Sequence, residues 1–196
     1  MMEIPKVIGI SGPNGSGKDT LGNLLVDKKN YTFVSLSDSL RVELTNQNIP
    51  HSRENMRQLG SRWHKAYGPG YLSRLAIDSF YQTDRHVNYS GLAIGSIRRP
   101  SEASVIKDRG GAIIWIDAES RLRYGWIQAA KRGRQEDMVD YDGWVREEEL
   151  ERCPQIKGDE SQVDLGGVMK IADIRITNNF ESRTDFQNHL VRLFNL

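Results

Sequence analysis

Apolar residues along this chain fall into short runs separated by longer stretches with helical spacing. Val7, Ile8 and Ile10 form the first run, closed by Gly12 and a turn-rich segment. "YTFVSL" (31–36), "YSGLAIGS" (89–96), "GAIIWIDA" (111–118) and "ADIRIT" (172–177) read as four further strands. Between the runs the period changes. Leu21, Leu24 and Leu25 share the apolar face of a helix that starts near Lys18. Segment 38–83 reads as a series of helices broken by Pro50 and by "GPG" at 68–70. Met56, Leu59 and Trp63 share one face there, and Leu72, Leu75, Ala76 and Ser79 another. A last helix opens at Ser182, with Asp185 completing a capping box and Phe186, Leu190, Leu193 and Phe194 as its buried face. Strands alternating with helices predict an α/β fold whose parallel sheet is covered on both faces.

Composition narrows the picture. The length of 196 residues suits one domain with a core large enough to fold unaided. With 27 basic and 26 acidic residues, the net charge of +1 gives no bulk attraction to a nucleic acid polymer or a membrane surface. The single cysteine, Cys153, cannot form an internal disulfide, and His51, His64, His86 and His189 have no metal-site spacing with it or with one another. No apolar run approaches the roughly 20 residues that span a bilayer, and Met1–Lys6 has no signal-peptide core. The expectation is a cytoplasmic protein, monomeric or homodimeric, that acts on small molecules.

The first strand runs into the strongest chemical signal, "VIGISGPNGSGKDT" at 7–20. Gly12, Gly17 and Lys18 are in register with the phosphate-binding pattern G-x-x-x-x-G-K, but Asp19 stands where Ser or Thr is usual, with Thr20 behind it. Gly15 and Gly17 allow the main chain close to a phosphate, whose oxygens meet backbone N–H groups and the helix N-terminus. The Lys18 ammonium reaches the β- and γ-phosphates. Gly12, Asn14, Gly15, Ser16, Gly17, Lys18, Asp19 and Thr20 are therefore the candidate ATP-binding set. Asp19 is a candidate Mg²⁺ ligand, since that ion takes carboxylate and water oxygens. The competing reading makes Asp19 a first-turn helix acid and gives the metal contact to Thr20.

Ligands of open parallel sheets bind at the carboxyl ends of the strands, and three more sets of residues follow strand ends. "SLSDSLR" places Asp38 as a helix cap and Arg41 three residues on, on the same face. "GSIRRPSEA" sends Arg98 and Arg99 straight out of an apolar strand. "KRGRQED" carries Lys131, Arg132 and Arg134 after the helix that follows the fourth strand. Segment 131–166 is dense in charge, and its Glu147–Glu151 part reads as a solvated surface helix. Phosphoryl transfer needs two anionic reactants held in line and the transferred charge neutralised, a task for which arginine's planar fork is suited. Lys18, Arg98 and Arg134 are the candidate catalytic residues, with Arg132 on ATP and Asp38, Arg41 and Arg98 on the acceptor.

With those residues placed, the chain resembles the P-loop small-molecule kinases of the nucleoside monophosphate kinase superfamily. "SDSLR" is similar to the adenylate-kinase-type segment G-D-x-L-R, whose arginine holds the acceptor phosphate and corresponds to Arg41. "SIRRPSEA" resembles the D-V-R-x-P-N-E-A segment of bacteriophage-type deoxynucleoside monophosphate kinases, with Arg98 and Glu102 in place, and "SGKDT" resembles that family too. "KRGR" resembles an arginine-bearing lid, and "ADIRITNN" the last strand of dephospho-CoA kinases, near which the adenine packs. The resemblance implies a three-layer P-loop NTPase fold with a five-stranded parallel sheet in one kinase domain over 1–196. It implies a helical acceptor-binding insert at about 38–85 and a lid at about 131–166. The implied activity is ATP- and Mg²⁺-dependent phosphoryl transfer to a small phosphate-bearing acceptor, first of all a (deoxy)nucleoside monophosphate. A dephospho-CoA kinase and a slow P-loop ATPase acting as a nucleotide-binding switch stay open. In many relatives an acid ends strand three and holds Mg²⁺ through water; Gly95 or Ser96 stands there, which shifts that task toward Asp19, with Asp38 as a helper.

Overall fold

Five parallel strands form one sheet in the order β2-β3-β1-β4-β5. They are β1 (Val7–Ser11), β2 (Tyr31–Ser35), β3 (Gly91–Ile97), β4 (Ala112–Asp117) and β5 (Ile174–Thr177). The structure, a computed structural model, describes residues 4–83, 85–131, 133 and 138–196. The helices among these residues are α1 (Lys18–Lys29), α2 (Leu36–Asn46), α3 (Arg53–Tyr67), α4 (Tyr71–Gln82) and the short α5 (Arg85–Asn88). Then come α6 (Pro100–Asp108), α7 (Ser120–Ala130), α8 (Tyr141–Arg152), α9 (Leu165–Ile171) and α10 (Arg183–Phe194).

Every residue of β1 is buried, because helices cover both sides of this central strand. Side chains alternate across it as a pleated strand requires. Val7 joins Leu92, Ile94, Ile97 and Ile113 in a core filled from the other side by Leu40, Leu44, Leu59, Leu72, Ile77 and Ile106. Ile8 and Ile10 face the opposite core, with Ile114, Ile116 and Ile176 packed on Leu21, Leu25, Phe186 and Leu190. The α/β reading with a five-stranded parallel sheet is the observed fold.

Element boundaries differ locally from those the pattern predicts. Leu36 does not close β2 but opens α2, turned inward at 3% exposure. On α4 the buried face is Leu72, Ser73, Ile77 and Phe80, whereas Leu75 and Ser79 face outward. Leu193, at 37% exposure, sits on the flank of the face that Phe186, Leu190 and Phe194 bury. Asp38 is not a cap: Ser35 holds that place and Asp38 lies in the first turn of α2.

Connections from β1 and β3 leave toward opposite halves of the sheet, β1 leading to β2 and β3 leading to β4. The crevice at this reversal opens beyond the carboxyl ends of β1 and β3, where open α/β sheets take their ligands.

Candidate functional site

The loop after β1 is built from the backbone outward. Gly12 has φ +143°, and a Cβ there would collide with the carbonyl oxygen of Ile116 on β4, so the turn needs a residue without one. Gly17, at φ +94°, is the N-cap of α1 and offers no side-chain cap, which leaves the first-turn amides to whatever sits in front of them. Lys18 crosses the loop and donates to the Pro13 carbonyl at 3.0 Å. Two residues the sequence reading passed over hold the loop from outside. Arg123 of α7 donates to the carbonyls of Asn14 at 3.0 Å and Ala118 at 2.7 Å, and Asn178, after β5, donates to that of Ser16 at 3.0 Å. Arg123 is itself held by a two-pronged ion pair with Glu148 and by the Trp144 ring, 4.9 Å from its guanidinium carbon.

In front of the loop lies a cleft of about 740 Å³. Asn14, Gly15, Gly17, Lys18, Asp19 and Thr20 line it. Gly12 and Ser16 lie behind the lining and shape it, with the Ser16 hydroxyl buried and unpartnered. Toward β5 the wall is Asn178, Ser182, Arg183 and Phe186, faced by Trp126 and Ile127. Further apolar lining comes from Phe33, Leu36, Leu40, Met56, Leu72 and Val163.

Three hydroxyls meet where strands β2 and β3 end. Ser96 is hydrogen-bonded to Ser35 at 2.9 Å and accepts from Ser37 at 3.4 Å, and Ser35 reaches Ser37 at 2.9 Å. The pairing of β1 with β3 skips Ser96, which takes the left-handed backbone (φ 62°) uncommon for a residue with a side chain. Asp19 is exposed at the cleft, Thr20 beside it is buried, and Asp38 lines the same space. Among the described residues no group of three or more His, Cys, Asp or Glu is placed to hold a metal ion. One first-turn carboxylate in a cleft also lined by Thr20, Ser35, Ser37 and Ser96 fits a largely hydrated Mg²⁺ that arrives on phosphate oxygens, rather than a resident ion in a protein cage.

On α2, Arg41 donates to Ser37 at 2.9 Å and lies 3.4 Å from the Asp38 carboxylate. Arg98 emerges from β3 as expected, yet its side chain is ion-paired with Glu151 of α8, which is 3% exposed. Within Glu147–Glu151 only Glu149 and Leu150 are exposed as a solvated helix requires: Glu147 pairs with Arg57 at 2.7 Å, Glu148 with Arg123 and Glu151 with Arg98. Burial pushes the Glu151 carboxyl up, but Arg98, Arg53 and Arg57 together outweigh it and hold it below its ordinary value. Arg99 also lines the cleft, but its guanidinium is engaged within the protein. It pairs with Glu102 at 3.0 Å and donates to the Ser161 carbonyl at 2.8 Å, while Glu102 accepts from the Arg98 and Arg99 amides as an N-terminal cap. Arg132 and Arg134 lie outside the described residues. Arg53 and Arg57 line the cleft without having been singled out. Their signal was available as spacing: two arginines four apart on α3 match two glutamates, Glu147 and Glu151, four apart on α8.

A parallel sheet in this order, with a glycine-rich phosphate loop between its central strand and the next helix, defines the P-loop kinase fold. The structure is similar to a shikimate kinase from Bacteroides thetaiotaomicron, with a TM-score of 0.56 at 16% identity over 97% of this chain and 98% of that one. It is also similar to a gluconokinase from Sinorhizobium meliloti, with a TM-score of 0.51 at 14% identity over 99% and 96% of the two chains. In sequence the chain is similar to a UPF0200 protein of Methanococcus maripaludis, 27% identical over 190 residues that make up 96% of each. A UPF0200 protein of Sulfurisphaera tokodaii is 26% identical over 179 residues, 91% of this chain and 90% of the other. No family model matches the chain. Among the described residues no helix is long and apolar enough to cross a membrane.

Proposed function

We propose that this protein is an ATP- and Mg²⁺-dependent kinase that phosphorylates a small phosphate-bearing acceptor, in first place a (deoxy)nucleoside monophosphate. The observation that carries the reading is the convergence of the phosphate loop with Asp38, Arg41 and Arg98 on one cleft. In this reading the loop and Lys18 hold the β- and γ-phosphates, Asp19 would hold Mg²⁺ directly or through water, and the hydroxyls of Ser35, Ser37 and Ser96 would serve its water where relatives have an acid. Mg²⁺ supplies charge neutralisation on the transferred group. An acceptor phosphate oxygen attacks the γ-phosphorus in line and ADP leaves, with Arg41 and Arg98 holding the acceptor. The chain acts as one kinase domain, with about 38–85 as its acceptor side and α8 within a covering segment at about 131–166. A dephospho-CoA kinase would use the same parts.

A second reading is favoured by one observation, the ion pair that already occupies Arg98. A slow ATPase that works as a switch has no need of a free acceptor arginine. A coupled ADP-release assay with nucleoside monophosphates, their deoxy forms, dephospho-CoA, shikimate and gluconate separates the readings. We expect acceptor-dependent release with a phosphate-bearing compound; release that no acceptor accelerates makes the protein a switch. Arg41→Ala is expected to leave ATP binding within about twofold and to weaken the acceptor by about ten- to a hundredfold, as loss of a charge-assisted bond of roughly 1.5–3 kcal/mol implies. Calorimetry with each ligand checks this, and loss of ATP alone would move Arg41 to the donor.

A further inference from the structure

Three arginines surround one buried carboxylate in the wall of the cleft. Arg98 is ion-paired with Glu151, and Arg57 approaches the other oxygen of that carboxylate to 4.0 Å while bonding Glu147 at 2.7 Å. Arg53, one turn before Arg57, is 7% exposed, and both its terminal nitrogens are buried with no hydrogen-bond partner. Its guanidinium carbon lies 5.9 Å from the Trp144 ring. Glu151 is the strongest attractive charge acting on it, and Arg98 opposes. A buried guanidinium whose donors go unmet is costly, and a fold tolerates it where those donors serve a ligand. The cage holds three positive charges against Glu151 and the more exposed Glu147, whose side chain is 36% exposed.

We propose that Arg53, Arg57 and Arg98 form a subsite for a dianionic phosphate group, and that Glu151 stands in for that group until the acceptor arrives. The inference rests on the kinase reading above and deepens it by naming the acceptor's anchoring group. Glu151 offers one charge and two oxygens, and leaves Arg53 unmet. A terminal phosphate offers two charges and three oxygens, enough to engage Arg53 as well. A monocarboxylate only repeats what Glu151 already does and gains nothing over it. The cage thus discriminates phosphate-bearing acceptors from hydroxy acids by charge, through competition with a side chain of the protein itself. Expelling Glu151 also loosens α8, whose Glu148 holds Arg123 and, through it, the Asn14 carbonyl of the phosphate loop.

The test is calorimetric titration of the full chain with inorganic phosphate, with acetate at matched ionic strength as the monoanion control. Glu151→Gln is expected to bind inorganic phosphate at least tenfold more tightly than the parent, and Arg53→Met at least tenfold more weakly. Affinity unchanged by both substitutions would put phosphate in the loop alone and overturn the subsite, and so would acetate binding as well as phosphate. Hydrogen exchange on the unsubstituted protein covers the case in which a variant fails to fold. Phosphate should speed exchange across 141–152, and no change there counts against the proposal. A nucleotide titration separates the two readings. If ATP does not bind while phosphate responds to both substitutions as stated, the subsite stands and the kinase reading falls. If ATP binds and turns over on an acceptor while phosphate ignores residues 53 and 151, the kinase stands and the subsite falls.

Discussion

Lys18 is 8% exposed yet lines the cleft, its ammonium held across the phosphate loop by the Pro13 carbonyl. In the kinase reading, a charge fixed in this way needs little reorganisation as the transition state forms. Lys18→Ala is expected to lose at least about a hundredfold in turnover, the scale of one removed electrostatic donor. Its thermal midpoint should stay close to the parent's, because the side chain belongs to the loop and the cleft rather than to either hydrophobic core; turnover near the parent's would remove the loop from the chemistry. Asp19 is different in kind. It is exposed in the first turn of α1, with Thr20 buried beside it and no acid at Gly95 or Ser96. Asp19→Asn should raise the Mg²⁺ concentration needed for half-maximal activity much more than that of ATP, since a hard cation loses a charged oxygen. Superimposable Mg²⁺ titrations would reduce Asp19 to a helix-dipole acid.

At the scale of elements, α8 ties together one wall of the cleft. Its glutamates at 147, 148 and 151 reach α3, α7 and the end of β3 in turn, so one helix face is neutralised by three separate elements. Removing one partner of such a buried pair strands the other, which costs about 3–5 kcal/mol, whereas removing both costs far less. Arg98→Ala is therefore expected to destabilise by about 3 kcal/mol. The double variant Arg98→Ala/Glu151→Gln should recover a large part of that loss. Urea unfolding of both single variants and the double closes the cycle; simple additivity would mean that the two side chains do not interact in solution.

For the whole molecule, the same carboxylate sets a pH limit. The folded-state value of Glu151 lies below the ordinary 4.5, because three arginines outweigh the opposing effect of burial. Stability from this group is complete above the unfolded value and is lost as pH falls through the lower folded one. Below pH 4.5 the parent should therefore lose stability more steeply than Glu151→Gln, which has no proton to take up there. Urea midpoints between pH 6 and pH 3 check the sign, and parallel curves would assign the acid limb to other carboxylates.

The sequence by itself determined what depends on neighbours along the chain. Val7, Ile8 and Ile10, the glycines of the loop and the leucines of α1 specify strand, turn and helix within a few residues of one another. Alternation of such units dictates a parallel sheet because each apolar face must be covered. Ser182 with Asp185, and Arg41 with Asp38, were equally legible, being contacts three residues apart. Tertiary structure alone decided the fate of charges and hydroxyls whose partners are remote. Glu151 meets Arg98 across 53 positions, Glu147 meets Arg57 across 90, and Ser96 meets Ser35 across 61. The loop's outer supports come from farther still, Arg123 at a separation of 109 and Asn178 at 162. A glutamate on a helix in water and one inside a cage of arginines have the same sequence pattern. Only the folding of α3, α8 and β3 onto one cleft turns Glu151 from a solvated side chain into a buried one.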